Sequence, residues 1–275
     1  MRRLKSRYAL LEVLVALLAV LFLLPFYLVV SNSFKANGDI LSGMMALPGS
    51  LRLENYANAW ELLNFPTVLT NSVLITVLSN IGTTLFAAMA AHQFIRRKHW
   101  INNYLFALFV ASMVIPFHTL MIPLVQVLKS MGLTNSIAGV VIAYWGLSIS
   151  FAIFLFHGFI KSLPLEIEEA ALIDGCTPYS LFARIVMPLL RPITATVIMV
   201  HTLWYWNDFL LPLLLLQRPD LRTIPVAINS MFGQYMKNWE LALPALTMAI
   251  APAALLFLVL QRQVMEGVTN GAVKG

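Results

Sequence analysis

Two stretches of this chain fix its solvent before anything else is known. Ser136 to Ile160 and Leu241 to Leu260 contain no Asp, Glu, Lys or Arg. A helix needs ~20 apolar residues to cross ~30 Å of hydrocarbon, and both stretches reach that length. Composition agrees. Of 275 residues, 60% are hydrophobic and 11% charged, against ~45–50% and ~25% in soluble globular chains. A water-facing surface needs more charge than this. The expected fold is therefore all-α and polytopic in a membrane.

Six spans are predicted, at about 9–30, 68–95, 104–128, 136–160, 193–216 and 241–260, in a single transmembrane domain covering 1–275. The N-terminal MRRLKSR and the apolar run to Val30 read as a retained first span, because no small-residue cleavage pattern follows. Lys and Arg set the orientation. With the N-terminus inside, twelve of the 18 fall on inner segments, among them Arg96, Arg97, Lys98, Lys161, Arg184 and Arg191. Six fall outside: Lys35, Arg52, Lys129, Arg218, Arg222 and Lys237. Both termini are thus expected in the cytoplasm. The net charge of +6 has the same explanation, so no nucleic-acid partner is expected. Outside, a short helix is expected around Leu53–Leu63.

The inner connection 161–192 differs in kind. Pro164 suits a first helical turn, and Glu166, Glu168 and Glu169 lie near the positive end of the helix dipole. Ile167, Ala170 and Ala171 form a small apolar stripe, and Gly175 supplies a C-terminal turn. Thr177 and Pro178 then open a second helix as N-cap and first helical residue. Leu181, Phe182, Ile185 and Val186 mark its apolar face, and Pro188 stops or kinks it. Such helices could lie in the lipid interface. The acidic polar face instead suits a protein groove with basic lining.

Glu169-Ala170-Ala171, three residues, Gly175, nine residues, then Ile185-Val186-Met187-Pro188 resembles the EAA signature of binding-protein-dependent ABC importer permeases. The one departure is Met187 in place of Leu, a swap that nearly conserves volume. The resemblance extends over nearly the whole chain. It includes LPFYLVVSNSFK, NYANAW, WYWNDFLLPLLLL and the ending QRQVMEGVTNGAVKG, the last similar to MalG-type carbohydrate permeases. It implies a loop that docks on a cytoplasmic ATPase through Glu168, Glu169, Ala170, Ala171, Asp174, Gly175, Ile185 and Pro188, with Ala272–Gly275 as weaker contacts. It also implies a second, different permease, two ATP-binding subunits carrying ATP and Mg, an extracytoplasmic solute-binding protein, and an inner-membrane location. The solute expected is a carbohydrate or related polyol.

The sequence contains no GxxxxGK(S/T) phosphate loop, no HExxH and no Cys/His cluster, so neither catalysis nor a resident metal or cofactor is expected. His92, His99, His118, His157 and His201 are dispersed, and Cys176 is the lone cysteine. Asp208 is the one acidic residue within the fifth expected span. Burying it in hydrocarbon costs several kcal/mol, so it should face the bundle or water. Trp206, Asn207 and Asp208 therefore line or gate the pathway, bind the partner permease, or sit at the outer interface, where Trp is common. Pro116, Pro123, Pro244 and Pro252 are read mainly as packing kinks. The rival class is an ion-coupled secondary transporter, which would call for an internal repeat and a relay of buried carboxylates.

Overall fold

A computed structural model describes residues 2–234 and 238–272, with side chains over 11–231, 238–255 and 258. Among the described residues every regular element is helical. In order these are α1 (Arg2–Asn32), α2 (Asn37–Ser42), α3 (Glu54–Leu62), α4 (Phe65–Arg96), α5 (Trp100–Ser112), α6 (Phe117–Ser130) and α7 (Ile137–Ile160). Then follow α8 (Glu166–Ile173), α9 (Pro178–Leu181), a π-helical turn at Phe182–Val186, α10 (Met187–Leu189) and α11 (Arg191–Asn207). Last come α12 (Leu210–Leu215), a 3-10 turn at Pro219–Leu221, α13 (Ile224–Gln234) and α14 (Trp239–Ala272).

Three of these helices are long and apolar enough to cross a membrane: Leu11–Asn32 within α1, Phe65–Arg96 and Ile137–Ile160. Two expected spans are not single straight helices. Residues 104–128 are divided between α5 and α6, which are bent by 108°. Pro116 explains the break, since it lacks an N–H and pushes the preceding residue out of helical geometry. Residues 193–216 are divided at Asp208, whose ψ of 127° is extended. A second bend, of 76°, separates Pro178–Leu189 from α11. The stretch 241–260 lies inside the longer α14. The outer helix expected near 53–63 is α3, with Leu63 as its C-cap.

The chain divides into two compact units, residues 1–66 with 227–252, and residues 67–226 with 253–275. The first unit is tied together just past the C-terminal end of α1. Asn32 Nδ2 donates to the carbonyls of Leu28 (2.7 Å) and Met44 (2.9 Å). Lys35, only 3% exposed as a residue, donates from its ammonium to Asn32 Oδ1 (2.9 Å) and the Gly43 carbonyl (3.0 Å). From α3, Asn55 Nδ2 donates to the carbonyls of Ser33 (3.1 Å) and Lys35 (3.0 Å), and the hydroxyls of Tyr56 and Ser33 meet at 2.6 Å. Two separated sequence motifs, SNSFK and NYANAW, thus form one hydrogen-bonded knot. Isolated polar groups at such a place would be costly; here they satisfy one another.

In the second unit α4 is the spine. Asn71, Ser72, Thr76, Ser79, Asn80, Thr83 and Thr84 are all buried, a polar stripe recurring at helical spacing. Asn80 Nδ2 donates to Thr202 Oγ1 (2.9 Å), and the hydroxyls of Thr83 and Tyr205 meet at 2.9 Å, joining α4 to α11. Gly82 lets α7 come close. A Cβ at that position would lie 2.1 Å from the Trp145 ring, whose Nε1 donates to the Leu78 carbonyl (3.1 Å). Further along, polar groups give way to small and apolar ones. Ala87, Ala88 and Ala91 pack with Ala152, Phe156 and Ile160 of α7. Small residues permit the close approach that packing between membrane helices relies on.

Candidate functional site

The connection between α7 and α11 is built from two short helices and a fixed corner. α8 carries Glu166, Glu168 and Glu169 in its first turn, where the dipole favours them. It ends in a Schellman turn. The N–H of Gly175 bonds the Leu172 carbonyl (3.1 Å), and the N–H of Cys176 bonds the Ala171 carbonyl (3.0 Å). This closure requires a left-handed residue, and Gly175 has φ +85°. The next helix opens as expected: Thr177 Oγ1 accepts from the Ser180 N–H (3.3 Å), with Pro178 behind it. Before Pro188 the chain makes a π turn in which the Met187 N–H reaches the Phe182 carbonyl. Pro188 has no N–H to continue the ordinary ladder.

The inward face differs from the stripe read from the sequence. Ala171 is buried, but Ile167 is 41% exposed and Ala170 faces out. Glu168 is the residue that turns inward, 5% exposed. Its Oε1 accepts from Arg96 Nε (2.8 Å) and its Oε2 meets His92 Nε2 (2.8 Å). Arg96 also donates to the Leu163 carbonyl (3.3 Å), and the Phe182 ring meets His92 edge-on, with centroids 5.7 Å apart. The loop is therefore clasped to the last turn of α4 by a paired carboxylate. Around the clasp, Ala171, Leu181 and Val186 are buried against Ala87, Ala88, Ala91 and Phe156, with Phe182, Ile185 and Met187 half-buried on the same cluster. The second helix thus uses the apolar face that its sequence specified.

The outward face is uncovered. Glu169, Asp174, Gly175 and Pro188 are exposed, and Ile173 and Tyr179 are each 86% exposed. The structure thus gathers the eight expected coupling residues on one loop but sorts them. Glu168 and Ala171 hold the loop from behind, Ile185 is half-buried, and the rest face away from the chain. His92 and Arg96 belong to this arrangement and were not singled out from the sequence. Their i, i+4 spacing on α4, two cationic-type side chains on one face, was the available signal.

Trp206, Asn207 and Asp208 sit at the far end of α11, about 25 Å along its axis from Arg191 by helical rise. Asp208 is fully engaged within the chain. Its Oδ1 accepts from the Leu210 N–H (3.0 Å), opening α12, and its Oδ2 accepts from the Tyr144 hydroxyl (2.8 Å). Asn207 Nδ2 donates back to the Leu203 carbonyl (2.7 Å). Asn207 is exposed and Trp206 half-buried.

With this geometry in view, comparison with known proteins gives a consistent result. Residues 81–268 match the family described as "Binding-protein-dependent transport system inner membrane component". The chain is 37% identical over 275 residues, 100% of both chains, to the probable starch degradation products transport system permease protein AmyC of Thermoanaerobacterium thermosulfurigenes. It is 35% identical over 263 residues, 95% of each chain, to the melibiose/raffinose/stachyose import permease protein MelC of Bacillus subtilis (strain 168). Its fold resembles a chain in the crystal structure of a bacterial ABC transporter that imports the acidic polysaccharide alginate. The TM-score is 0.84 at 20% identity, covering 95% of this chain and 98% of the other. Nothing in these likenesses supports the ion-coupled alternative.

Proposed function

The chain belongs to the family of binding-protein-dependent transport system inner membrane components, and from that premise we propose that it pairs with a second, different permease to carry a carbohydrate or related polyol across the inner membrane. It is a multi-pass membrane subunit of an ABC importer and not an enzyme; ATP is hydrolysed on a separate ATPase. Such a permease works with a partner permease, an ATPase and a solute-binding protein. In the arrangement proposed, both termini are cytoplasmic. Two ATP-binding subunits hold ATP and Mg, and one of them receives the loop 161–192. The carbohydrate assignment draws on the sugars that the relatives' names carry.

One observation carries the docking role. The loop is clasped from behind by Arg96 and His92, yet it presents Ile173 and Tyr179 uncovered beside exposed Glu169. Anchored backs and bare apolar tips suit helix-in-groove recognition. Glu169 meets basic groups of the groove, Ala170 lets the surfaces approach, and Gly175 fixes the corner between the two helices. Asp174, Ile185 and Pro188 complete the shape. The WND segment at residues 206–208 lies on the solute path or on the contact with the second permease. In this structure Asp208 braces a helix break, which fits either role.

The test is a Glu169→Lys, Gly175→Trp double variant. A Cβ at Gly175 meets nothing within 4 Å, but its φ of +85° strains any side chain placed there, so the exposed Glu169→Lys change is also tested alone to separate lost docking from a distorted corner. Insertion should persist while the ATPase no longer copurifies and uptake is lost. Wild-type uptake by the double variant, with ATPase retained, rules the docking role out. Binding of candidate saccharides to the cognate solute-binding protein identifies the cargo.

A further inference from the structure

At the lysine-rich end of the second unit lies a cavity of about 540 Å³, formed by the last turns of α4 and α7 and the start of α5. Its polar lining is Lys98, His99, Asn103, His157 and Lys161, and no carboxylate contributes to it. Neither lysine forms an ion pair among the described residues, whereas neighbouring Arg96 is consumed by Glu168. His99 caps α5: its Nδ1 accepts from the Ile101 N–H (3.3 Å). In the neutral ring that leaves Nε2 as the protonated, donating nitrogen. The Phe106 ring stacks on His157 with centroids 3.7 Å apart, giving the cavity a firm aromatic wall. Asn102 Nδ2 holds the turn by donating to the carbonyls of Arg97 (2.6 Å) and Gln93 (3.3 Å).

Depth in the membrane identifies the ligand class. Lys161 follows the last residue of one spanning helix and Lys98 lies two residues past the end of another. The cationic groups therefore stand where hydrocarbon gives way to headgroups. Trp100, 71% exposed at the rim, is the residue type enriched at that level. A basic recess between spanning helices, with apolar surface running away from it, matches a phosphate headgroup whose acyl chains lie along the bundle.

We propose that this cavity is a binding site for the headgroup of an anionic glycerophospholipid. Lys98 and Lys161 neutralise the phosphate, and His99 and Asn103 donate hydrogen bonds to it. A lipid held there spans the ends of three helices next to the clasped loop. This site depends on the membrane reading of the chain and not on the docking of the ATPase.

The test uses the full-length protein, purified with whatever subunits accompany it, stripped of lipid and examined by native mass spectrometry. Phosphatidylglycerol should be retained over phosphatidylcholine by roughly tenfold or more, as expected for two lysines near a headgroup. A Lys98→Gln, Lys161→Gln double variant should lose that preference, and Lys129→Gln should keep it. Equal retention by the double variant overturns the site. Retention of inorganic phosphate as strong as that of phosphatidylglycerol overturns the lipid assignment in favour of a free anion. Should the double variant fail to fold, photoactivatable phosphatidylglycerol added to the wild type decides. Labelling of the segment 94–103 supports the site, and labelling confined to other segments, or abolished by bound ATPase, overturns it.

Discussion

The two ends of the second unit are held together by different chemistry. At the loop end, Ala87, Ala88, Ala91, Phe156 and Ile160 make an apolar bed, and a single charged clasp, Glu168 with Arg96 and His92, fixes what lies on it. At the other end the contacts are many and neutral, or nearly so. Asn80 bonds Thr202, Thr83 bonds Tyr205, Tyr144 bonds Asp208, and Asn135 Oδ1 accepts from the Gln217 N–H (2.7 Å). One end therefore concentrates its polar energy in one place and the other distributes it. A concentrated attachment fails all at once, while a distributed one weakens by degrees.

Breaking the concentrated attachment should have the largest effect. Arg96→Ala leaves a carboxylate that is 6% exposed with His92 as its remaining partner, and the loss should approach the ~3–5 kcal/mol of a broken buried pair when His92→Ala is added. Denaturation in mild detergent should show that loss, and proteolysis should nick the loop 161–192 first. Adding Glu168→Ala should recover much of it. If the Arg96→Ala, His92→Ala double variant is as stable as wild type, the clasp contributes nothing and the contrast disappears.

Gly82→Leu should come next, at about 1–3 kcal/mol for overpacking, because the indole of Trp145 already occupies the space a side chain would need. Its effect should be smaller in a Trp145→Ala background. Tyr144→Phe leaves Asp208 with its backbone bond alone and should cost about 1–3 kcal/mol if the carboxylate stays dry. Little change would mean that water reaches Asp208.

Asn80→Ala and Thr83→Val, taken singly, should each cost only about 0.6 kcal/mol, the average for hydrogen bonds between membrane helices. A loss as large as that of Arg96→Ala would show that this end is not distributed after all. The smallest effect belongs to the exposed turn at 219–221. There the hydrogen bond from Arg218 holds the Asp220 carboxyl below its usual range. A depressed carboxyl stabilises the folded chain above the ordinary Asp pKa and loses that contribution as pH falls through the lowered value. Arg218→Ala should raise the titration midpoint of Asp220, followed by the carboxyl NMR signal, with scarcely any change in unfolding.

What could be read from the sequence follows from how each feature is encoded. Apolar blocks announce membrane helices through length alone, so α1, α4 and α7 were legible. So were the corner of the loop and the second helix of the pair, since Gly175, Thr177 and Pro178 each have a local steric or hydrogen-bonding reason. The rotation of α8 was not. Three glutamates within four residues look alike, and which one turns inward depends on where Arg96 and His92 stand some seventy positions earlier. The break at Pro116 was half legible and the break at Asp208 was not. Proline flagged the first as a kink, while Asp208 was read as a buried acid within an unbroken span; whether a span merely kinks or turns through 108° is decided by neighbouring helices. The knot around Lys35 was hidden for the same reason, because its acceptors are mostly backbone carbonyls and carry no residue signature.

The indole seated on Gly82 bears on how this bundle can move. The Leu78 carbonyl it bonds is also the natural acceptor for the helical N–H of residue 82, so the ring shares a rung of the neighbouring helix. Sliding of α7 along α4 must first unseat that ring, and the next stable seat requires another residue without a side chain. Gradual slippage is thereby discouraged. Relative motion of these two helices should come in discrete notches, with tryptophan as the pawl.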